Sequence, residues 1–206
     1  MNALRLIAIS AAVVVAAHPA QAQTWYTTPS SWYVGAAGGP GNIDITCDAG
    51  ACDRSGTAWK IYGGFRFPNH TGAELLYVDV GDASADALHH VNLTQGKVEG
   101  SYWALAGVWS PEFGGGFLAN LKLGIAGSNS KTTGLDAGAA AGADRSKFPH
   151  VYAAVGLGWK LGHHLEFTAD YDYSRLSYRN VEAGSDFHLK QTVDVGAVMI
   201  GANYGF

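Results

Sequence analysis

The side chains of this chain that could do chemistry include acidic residues that alternate with apolar ones. Between His164 and Ser174, every second position is apolar or aromatic, and Glu166, Asp170 and Asp172 lie between these positions. A period of two places the acids on one face of a β-strand and the apolar side chains on the other. Carboxylates on such a face can pair with cations, line a pore or orient a catalytic histidine.

Seven charged residues are candidates for one shared polar interior: Lys60, Arg66, Glu74, Lys122, Glu166, Asp170 and Asp172. Opposite charges inside a narrow structure should pair, because burying one charge alone is costly. We therefore predict that these residues form a structural network of ion pairs. A small or gated pore through the same residues is the alternative.

Catalysis by a serine nucleophile is not indicated by the sequence. Such a nucleophile needs a histidine base, and a serine two residues after a histidine would share its strand face. The positions two residues after His150, His163, His164 and His188 hold Tyr, Leu, Glu and Lys. We therefore predict a non-enzymatic protein without catalytic residues. Distant residues that converge in the fold remain the alternative.

Paired histidines raise the question of a metal site. His89-His90 and His163-His164 are adjacent pairs. Neighbouring residues of a strand point to opposite faces, so each pair would be a poor chelate. We predict no metal and no cofactor. A weak adventitious site of the first pair with nearby aspartates is the alternative.

The amino-terminal residues predict export. One positive charge in the first five residues is followed by an apolar run from Leu6 to Ala17 and by the small-x-small pattern that ends at Ala22. This is typical of a secretory signal peptide over residues 1–22, which leaves residues 23–206 as the mature domain. Export favours a disulfide between the two cysteines, Cys47 and Cys52.

The elements that must position the candidate residues are strands. Eight segments have the pattern or composition of strands: 31–39, 57–67, 72–80, 98–110, 115–127, 149–161, 164–175 and 190–206. Short connections alternate with long ones, as in outer-membrane barrels. We predict an all-β fold, an eight-stranded antiparallel up-and-down transmembrane β-barrel. The faces of 72–80 and 98–110 stay unassigned, and a soluble barrel with an apolar interior is the rival.

The last strand and the composition favour the membrane barrel. Apolar side chains occupy alternate positions of a final segment that we predict to be the assembly signal: Val198, Ile200, Ala202, Tyr204 and Phe206. An aromatic residue at the end of the last strand suits the membrane interface. Charged residues make up 15% of the chain, below the ~25% typical of soluble domains. The excess of acidic over basic residues argues against a nucleic-acid partner.

Several stretches resemble the transmembrane domain of the OmpA superfamily of small outer-membrane barrels: 71–79, 151–161, 165–173 and the Tyr-Gly-Phe end. The resemblance implies an eight-stranded barrel with a polar interior in the bacterial outer membrane. The chain departs from the family in one respect, since we expect no periplasmic peptidoglycan-binding domain after the last strand. We predict that the protein contributes to envelope integrity and displays four surface loops. The alternatives are, in order, a surface adhesin, a lipid A-modifying enzyme and a narrow channel. Expected partners are outer-membrane lipid and lipopolysaccharide, the barrel assembly machinery and an unidentified host surface ligand.

Overall fold

Eight long strands dominate the computed structural model, which describes residues 31–44, 52–53, 55–85, 96–134, 142–145, 149–181 and 188–206. The strands are β1 (Ser31–Ile43), β2 (Ser55–Arg66), β3 (Thr71–Ala85), β4 (Gly96–Trp109), β5 (Phe117–Gly134), β6 (His150–Leu161), β7 (Leu165–Val181) and β8 (His188–Gly205). Three short segments add to the sheet at its rims: Cys52–Asp53 pairs with β3, and Glu112–Gly114 and Gly142–Arg145 pair with β5.

The sheet closes on itself. Each long strand pairs antiparallel with the next one, and β1 pairs with β8. The closing register places Val34 opposite Tyr204 and Ile43 opposite Val195. Closure leaves the barrel without an open strand edge. The predicted fold class, an eight-stranded antiparallel up-and-down barrel, is confirmed.

Ser31 and Phe206, the first and last described residues, and three tight turns lie at one rim, which we call the terminal rim; the opposite end is the loop rim. The turn between β2 and β3 contains His70 at a φ of 63°. Beside it, the Thr71 hydroxyl donates a 2.6 Å hydrogen bond to Asn69 Oδ1. Gly162, at a φ of 76°, supplies the left-handed residue between β6 and β7. Gly114, Gly115 and Gly116, all at positive φ, do the same between β4 and β5. Local turn chemistry therefore sets the three short connections.

Side chains alternate between a buried inward face and an exposed outward face. Ile200 and Leu123 point outward with 71% and 68% of their surface exposed, whereas Lys60 is fully buried inside. The structure also assigns the two strands that the sequence left open, since Leu75 of β3 and Leu105 of β4 point outward. A contiguous apolar exterior around a buried polar interior suits lipid rather than water.

The strands run farther toward the loop rim than the sequence predicted. β5 continues to Gly134 and β7 to Val181, whereas the predicted segments ended at 127 and 175. The ladder between β7 and β8 persists to the pair Val181 and His188. The predicted segments left long connections at 128–148 and 176–189, and this extent was wrong. Pairing with a neighbouring strand outweighs the weak β-propensity of these Gly-, Ser- and Asn-containing ends.

Some predictions fall on residues outside the described ranges. They are the signal peptide over residues 1–22, the partner cysteine Cys47 and the pair His89-His90. The predicted disulfide and signal peptide therefore stay predictions. Within the described ranges, the chain contains no helix long and apolar enough to cross a membrane.

Candidate functional site

The seven charged residues named from the sequence all lie on inward faces of the barrel. β2 carries Lys60 and Arg66, β3 carries Glu74, and β5 carries Lys122. β7 carries the other three: Glu166, Asp170 and Asp172. Six are buried, and Arg66 keeps 17% of its side chain exposed near the terminal rim. The period of two puts them inside because their neighbours along each strand point outward.

Lys60 lies at the centre of the charge network. Its ammonium nitrogen is 3.0 Å from Asp170 Oδ2 and 2.7 Å from Asp172 Oδ2. The Tyr152 hydroxyl donates a hydrogen bond to the other oxygen of Asp172. These contacts join β2 to β6 and β7 through the interior rather than through the backbone ladder.

A second group of contacts forms around Lys122. Its ammonium nitrogen lies 2.8 Å from Glu74 Oε1 and 3.9 Å from Asp170 Oδ2, which links it to the contacts of Lys60. The Tyr33 hydroxyl donates a 2.9 Å hydrogen bond to Glu74 Oε2. The same ammonium group sits 4.8 Å from the centre of the Tyr62 ring. Ion pairs, phenol hydroxyls and cation–π contacts thus hold β1, β2, β3, β5 and β7 together.

A third pair lies nearer the terminal rim. Arg66 Nη1 is 3.0 Å from Glu166 Oε2, and its guanidinium lies 5.2 Å from the centre of the Tyr33 ring. Close by in the same part of the interior, the Ser110 hydroxyl donates a 2.7 Å hydrogen bond to Asn120 Oδ1. The partial exposure of Arg66 makes this end of the network the one that water can reach.

Apolar side chains predominate in the loop-side part of the interior, where Ser128, Ser130 and Ser174 are also buried, and this corrects the expectation of a polar interior. Five buried side chains form this apolar plug: Ile43, Val80, Leu176, Val193 and Val195. Leu176 and Val80 meet over Gly100, where a Cβ would collide with Leu176. Apolar side chains fill a narrow barrel without needing partners, and a hydrophobic constriction excludes water and ions.

The sequence analysis missed the tyrosines of the interior. Tyr33, Tyr62, Tyr102 and Tyr152 are all buried inside the barrel, and two of them donate hydrogen bonds to network carboxylates. The position of Tyr62 could have identified it as an interior residue, because it lies two residues after Lys60 and must share its strand face. The residue type argued against this inference, because tyrosine is also common at the lipid-facing ends of strands.

Aromatic residues frame the apolar exterior in two belts. The belt at the terminal rim contains Trp32, Phe65, Trp109, Phe117, Trp159, Phe167, Tyr204 and Phe206, and the loop-side belt contains Trp59, Tyr77, Trp103 and Tyr171. Tyr77 and Trp103 contact with ring centres 4.8 Å apart. At the other rim, the backbone N–H of Phe206 donates a 3.0 Å hydrogen bond to the carbonyl of Trp32. Two such belts are typical of a barrel anchored at both membrane interfaces.

A polar cluster lies beyond the loop-side belt on the outer face. Arg175 Nε is 2.9 Å from Asp194 Oδ1, and the Tyr173 hydroxyl donates a 2.8 Å hydrogen bond to the same oxygen. Hydrogen bonding from Tyr173 is the main cause that lowers the pKa of the Asp194 carboxyl; burial opposes it, and the hydrogen bond and charge of Arg175 lower the pKa further. Both charged side chains are about half exposed, so the ion pair contributes little to stability. Its position marks where the exterior turns from apolar to polar.

The described histidines next to the short turn do not form a chelate. His164 Nδ1 lies 2.8 Å from the carbonyl oxygen of Gly205, and its ring stacks on Tyr204. Across the described part of the chain, no three His, Cys, Asp or Glu side chains are grouped so that they could hold a metal ion. The arrangement of the described side chains fits a membrane barrel held together by its interior.

Solved structures similar to this chain are small outer-membrane proteins. Neisserial surface protein A (NspA) aligns with a TM-score of 0.60 and 13% identity over 87% of this chain and 100% of its own. OprG from Pseudomonas aeruginosa gives 0.54 and 16% over 87% and 98%. Ail, the attachment invasion locus protein of Yersinia pestis, gives 0.51 and 16% over 86% and 97%. At these identities the likeness shows the fold alone.

Sequence comparison gives the family. A search of curated proteins finds no significant match. The family model for the outer membrane protein β-barrel domain matches residues 7–206, nearly the whole chain. The chain therefore belongs to the outer membrane protein β-barrel domain family.

Proposed function

We propose that this protein is a closed, non-enzymatic barrel of the bacterial outer membrane that supports envelope integrity and displays its loops at the cell surface. The observation that carries the proposal is the plugged interior. Ion pairs fill one part of the barrel and branched apolar side chains fill the other. A barrel closed in this way offers its exterior and its loops to partners rather than a channel.

The length of the strands supports display of the loops. A transmembrane β-strand needs about 9–11 residues, whereas β5 and β8 have 18 residues each and β7 has 17. The surplus lies beyond the loop-side belt, where Arg175 and Asp194 replace apolar side chains on the outer face. Paired strands therefore carry the loops away from the bilayer surface.

The exterior defines the expected lipid partners. Its apolar band would lie in the acyl chains, with outer-membrane lipid and lipopolysaccharide around it, and the terminal rim would face the periplasm. The alternating apolar side chains from Val198 to Phe206 all point outward or lie partly exposed on the last strand. We propose that this strand is what the barrel assembly machinery recognises.

A deletion strain tests the envelope role. We expect loss of the gene to raise uptake of a hydrophobic dye and sensitivity to detergent, and we expect the intact gene to restore both. A barrel shortened at the loop between β7 and β8, by removal of residues 180–189 beyond the pair Arg179 and Lys190, keeps Leu176 and Val193 in place and separates the two parts of the proposal. It should restore the barrier and lose any loop-dependent phenotype. A deletion strain with an unchanged barrier would refute the envelope role.

Adhesion through the loops is the second candidate. The projecting strands favour it, and Ail, a structural neighbour of the same fold, was solved in complex with the heparin analogue sucrose octasulfate. We would measure binding of whole cells to immobilised heparin and to host cells, with the loop-shortened barrel as the control. Binding that disappears with the loops supports an adhesin, and equal binding by the deletion strain excludes it.

A further inference from the structure

A groove lies on the outer face of the barrel, where β1 and β8 close the sheet. Its volume is about 460 Å³, within the roughly 300–1,000 Å³ of sites that hold small molecules. The floor has little side-chain bulk, because Pro40 and Gly196 occupy outward positions of the two strands. Tyr171 of β7 forms a wall, and its hydroxyl lies 2.6 Å from the place of a Cβ on Gly196. A larger residue at position 196 would therefore displace the ring and fill the groove.

The groove occupies a gap in the loop-side belt. This belt has Trp59 on β2 and Tyr171 on β7, and the groove residues of the two strands between them include no aromatic side chain. Pro40 lies two positions beyond Gly38, the partner of Trp59, and Val198 is the partner of Tyr171. Aromatic side chains normally fill the depth at which acyl chains meet head groups. The gap therefore leaves room for part of a lipid at this depth.

The lining changes from apolar to polar toward the loop rim. Val198 and Tyr171, both about half exposed, line the end nearer the middle of the apolar band. Asn42, Asp44 and Asp194 line the other end. Val198 and Asp194 lie four residues apart on β8, which spans about 13 Å along a strand. The groove is thus amphipathic along its length, and its apolar end continues into the lipid-facing exterior.

The polar end suits hydroxyl groups better than phosphate. Tyr173 and Arg175 both bond to Oδ1 of Asp194, so Oδ2 of this half-exposed carboxylate can accept further hydrogen bonds. Asn42 and Ser55 add an amide and a hydroxyl, which both donate and accept. Two carboxylates line the groove, and its described lining includes no lysine or arginine. Carboxylates repel phosphate, whereas they accept hydrogen bonds from the hydroxyls of a sugar.

We propose that this groove binds a glycolipid of the outer leaflet, with an acyl chain against Val198 and Tyr171 and a sugar ring against Asn42, Ser55 and Asp194. Among the lipid partners proposed above, this chemistry selects lipopolysaccharide, whose acyl chains are attached to sugars, over phospholipid. The inference rests on the proposed outer-membrane exterior and assigns one lipid site on it. The bound glycolipid covers the seam at which the barrel closes.

Native mass spectrometry of the refolded full chain, released from detergent micelles, tests the site. The probes are lipid A, and glucosyl diacylglycerol and phosphatidic acid with identical acyl chains. We expect one bound lipid A, and we expect glucosyl diacylglycerol to bind about tenfold more tightly than phosphatidic acid, as one or two hydrogen bonds to the sugar allow. Gly196→Leu should lower the affinity for lipid A and for glucosyl diacylglycerol at least about tenfold by filling the groove.

Two further variants separate the explanations. Asp194→Ala changes a half-exposed residue and should reduce the preference for the sugar lipid; if phosphate were the group recognised, the same change would strengthen binding of lipid A. Gly127→Leu is the matched control, because a Cβ at this outward glycine of β5 meets nothing within 4 Å, and it should leave binding unchanged.

Four results would each overturn the proposal. They are equal affinities for glucosyl diacylglycerol and phosphatidic acid, unchanged binding in Gly196→Leu, stronger binding of lipid A in Asp194→Ala, and a lipid-free homodimer that Gly196→Leu abolishes, which would assign the groove to a second copy. The deletion strain tests the envelope role separately. A barrel that maintains the barrier without binding lipid here would refute the groove alone, and binding without an effect of the deletion would refute the envelope role alone.

Discussion

Replacing Lys60 with methionine should strongly destabilise the barrel. The ammonium group is fully buried and is held 3.0 Å from Asp170 and 2.7 Å from Asp172. Removing one partner of a buried ion pair costs about 3–5 kcal/mol, because the other charge is left uncompensated. Here two carboxylates lose their shared cation, while Tyr152 still donates to one of them. We expect a loss near the upper end of that range, seen as a fall of at least about 2 M in the urea midpoint.

The assay is urea unfolding of refolded protein in micelles, followed by intrinsic fluorescence and by the heat-modifiable shift on gels. Lys160→Met is the matched control, since its 2.7 Å pair with Glu112 is partly exposed at the terminal rim. An exposed pair of this kind contributes about 0–1 kcal/mol. Adding Asp170→Asn and Asp172→Asn to the Lys60 variant should recover much of the loss, because no carboxylate is then left without a cation. Equal losses for the two lysine variants would refute the reasoning.

Four further predictions concern the exterior, the chain end, the rim and the cysteines. Ile200→Arg, on the outer face between the belts, should cost about 2–4 kcal/mol in lipid vesicles; a cost no larger than that of Ile200→Ala would mean that this face does not contact lipid. Removing Phe206 should lower the outer-membrane yield more than Phe113→Ala, the control, which changes an exposed aromatic residue in a turn of the same rim. Equal yields would contradict a role of Phe206 in assembly. Tyr173→Phe should raise the pKa of Asp194 toward its ordinary value in an NMR titration, since Tyr173 is the main cause of its depression, and an unmoved pKa would refute the assignment. Because the pKa is lowered in the folded state, the stabilisation from this pair is fully present above the ordinary pKa of Asp and is lost as the pH falls through the lowered value. Changing Cys47 and Cys52 together to Ser should leave assembly intact, because a short disulfide loop contributes only about 2–3 kcal/mol, and free thiols on both residues in protein from intact cells would disprove the bond.

The fold was readable from the sequence wherever one strand face was strictly apolar. The segment around Phe167 and Tyr171 alternates with acids, so both its strand character and its two faces could be read from the sequence. β3 and β4 could not be assigned in this way, because Leu75 and Leu76 are adjacent apolar residues that point to opposite sides. The interior of a narrow barrel accepts polar and apolar side chains alike, so composition alone does not identify it.

The pairing inside the barrel could not be read from the sequence. Charge and alternation identify Lys60 and Asp172 as candidates, but 112 residues separate them along the chain. Whether their side chains meet depends on the stagger between strands, which shifts every inward residue relative to its neighbours. The contact between Asp170 and Gly156 shows the same limit, since it follows from the register between β6 and β7.

The division of the interior bears directly on function. The buried ion pairs stabilise the barrel from within. We expect no solute to pass while Leu176 and Val80 meet over Gly100. Weakening the plug should therefore reveal a path that the wild type lacks. Leu176→Ser would replace a buried apolar side chain with a hydroxyl at the constriction, where dewetting blocks ions. Conductance in planar bilayers that appears in this variant and is absent from the wild type would place the barrier at the plug. Equal conductance in both would show that the ion pairs, rather than the apolar layer, close the barrel.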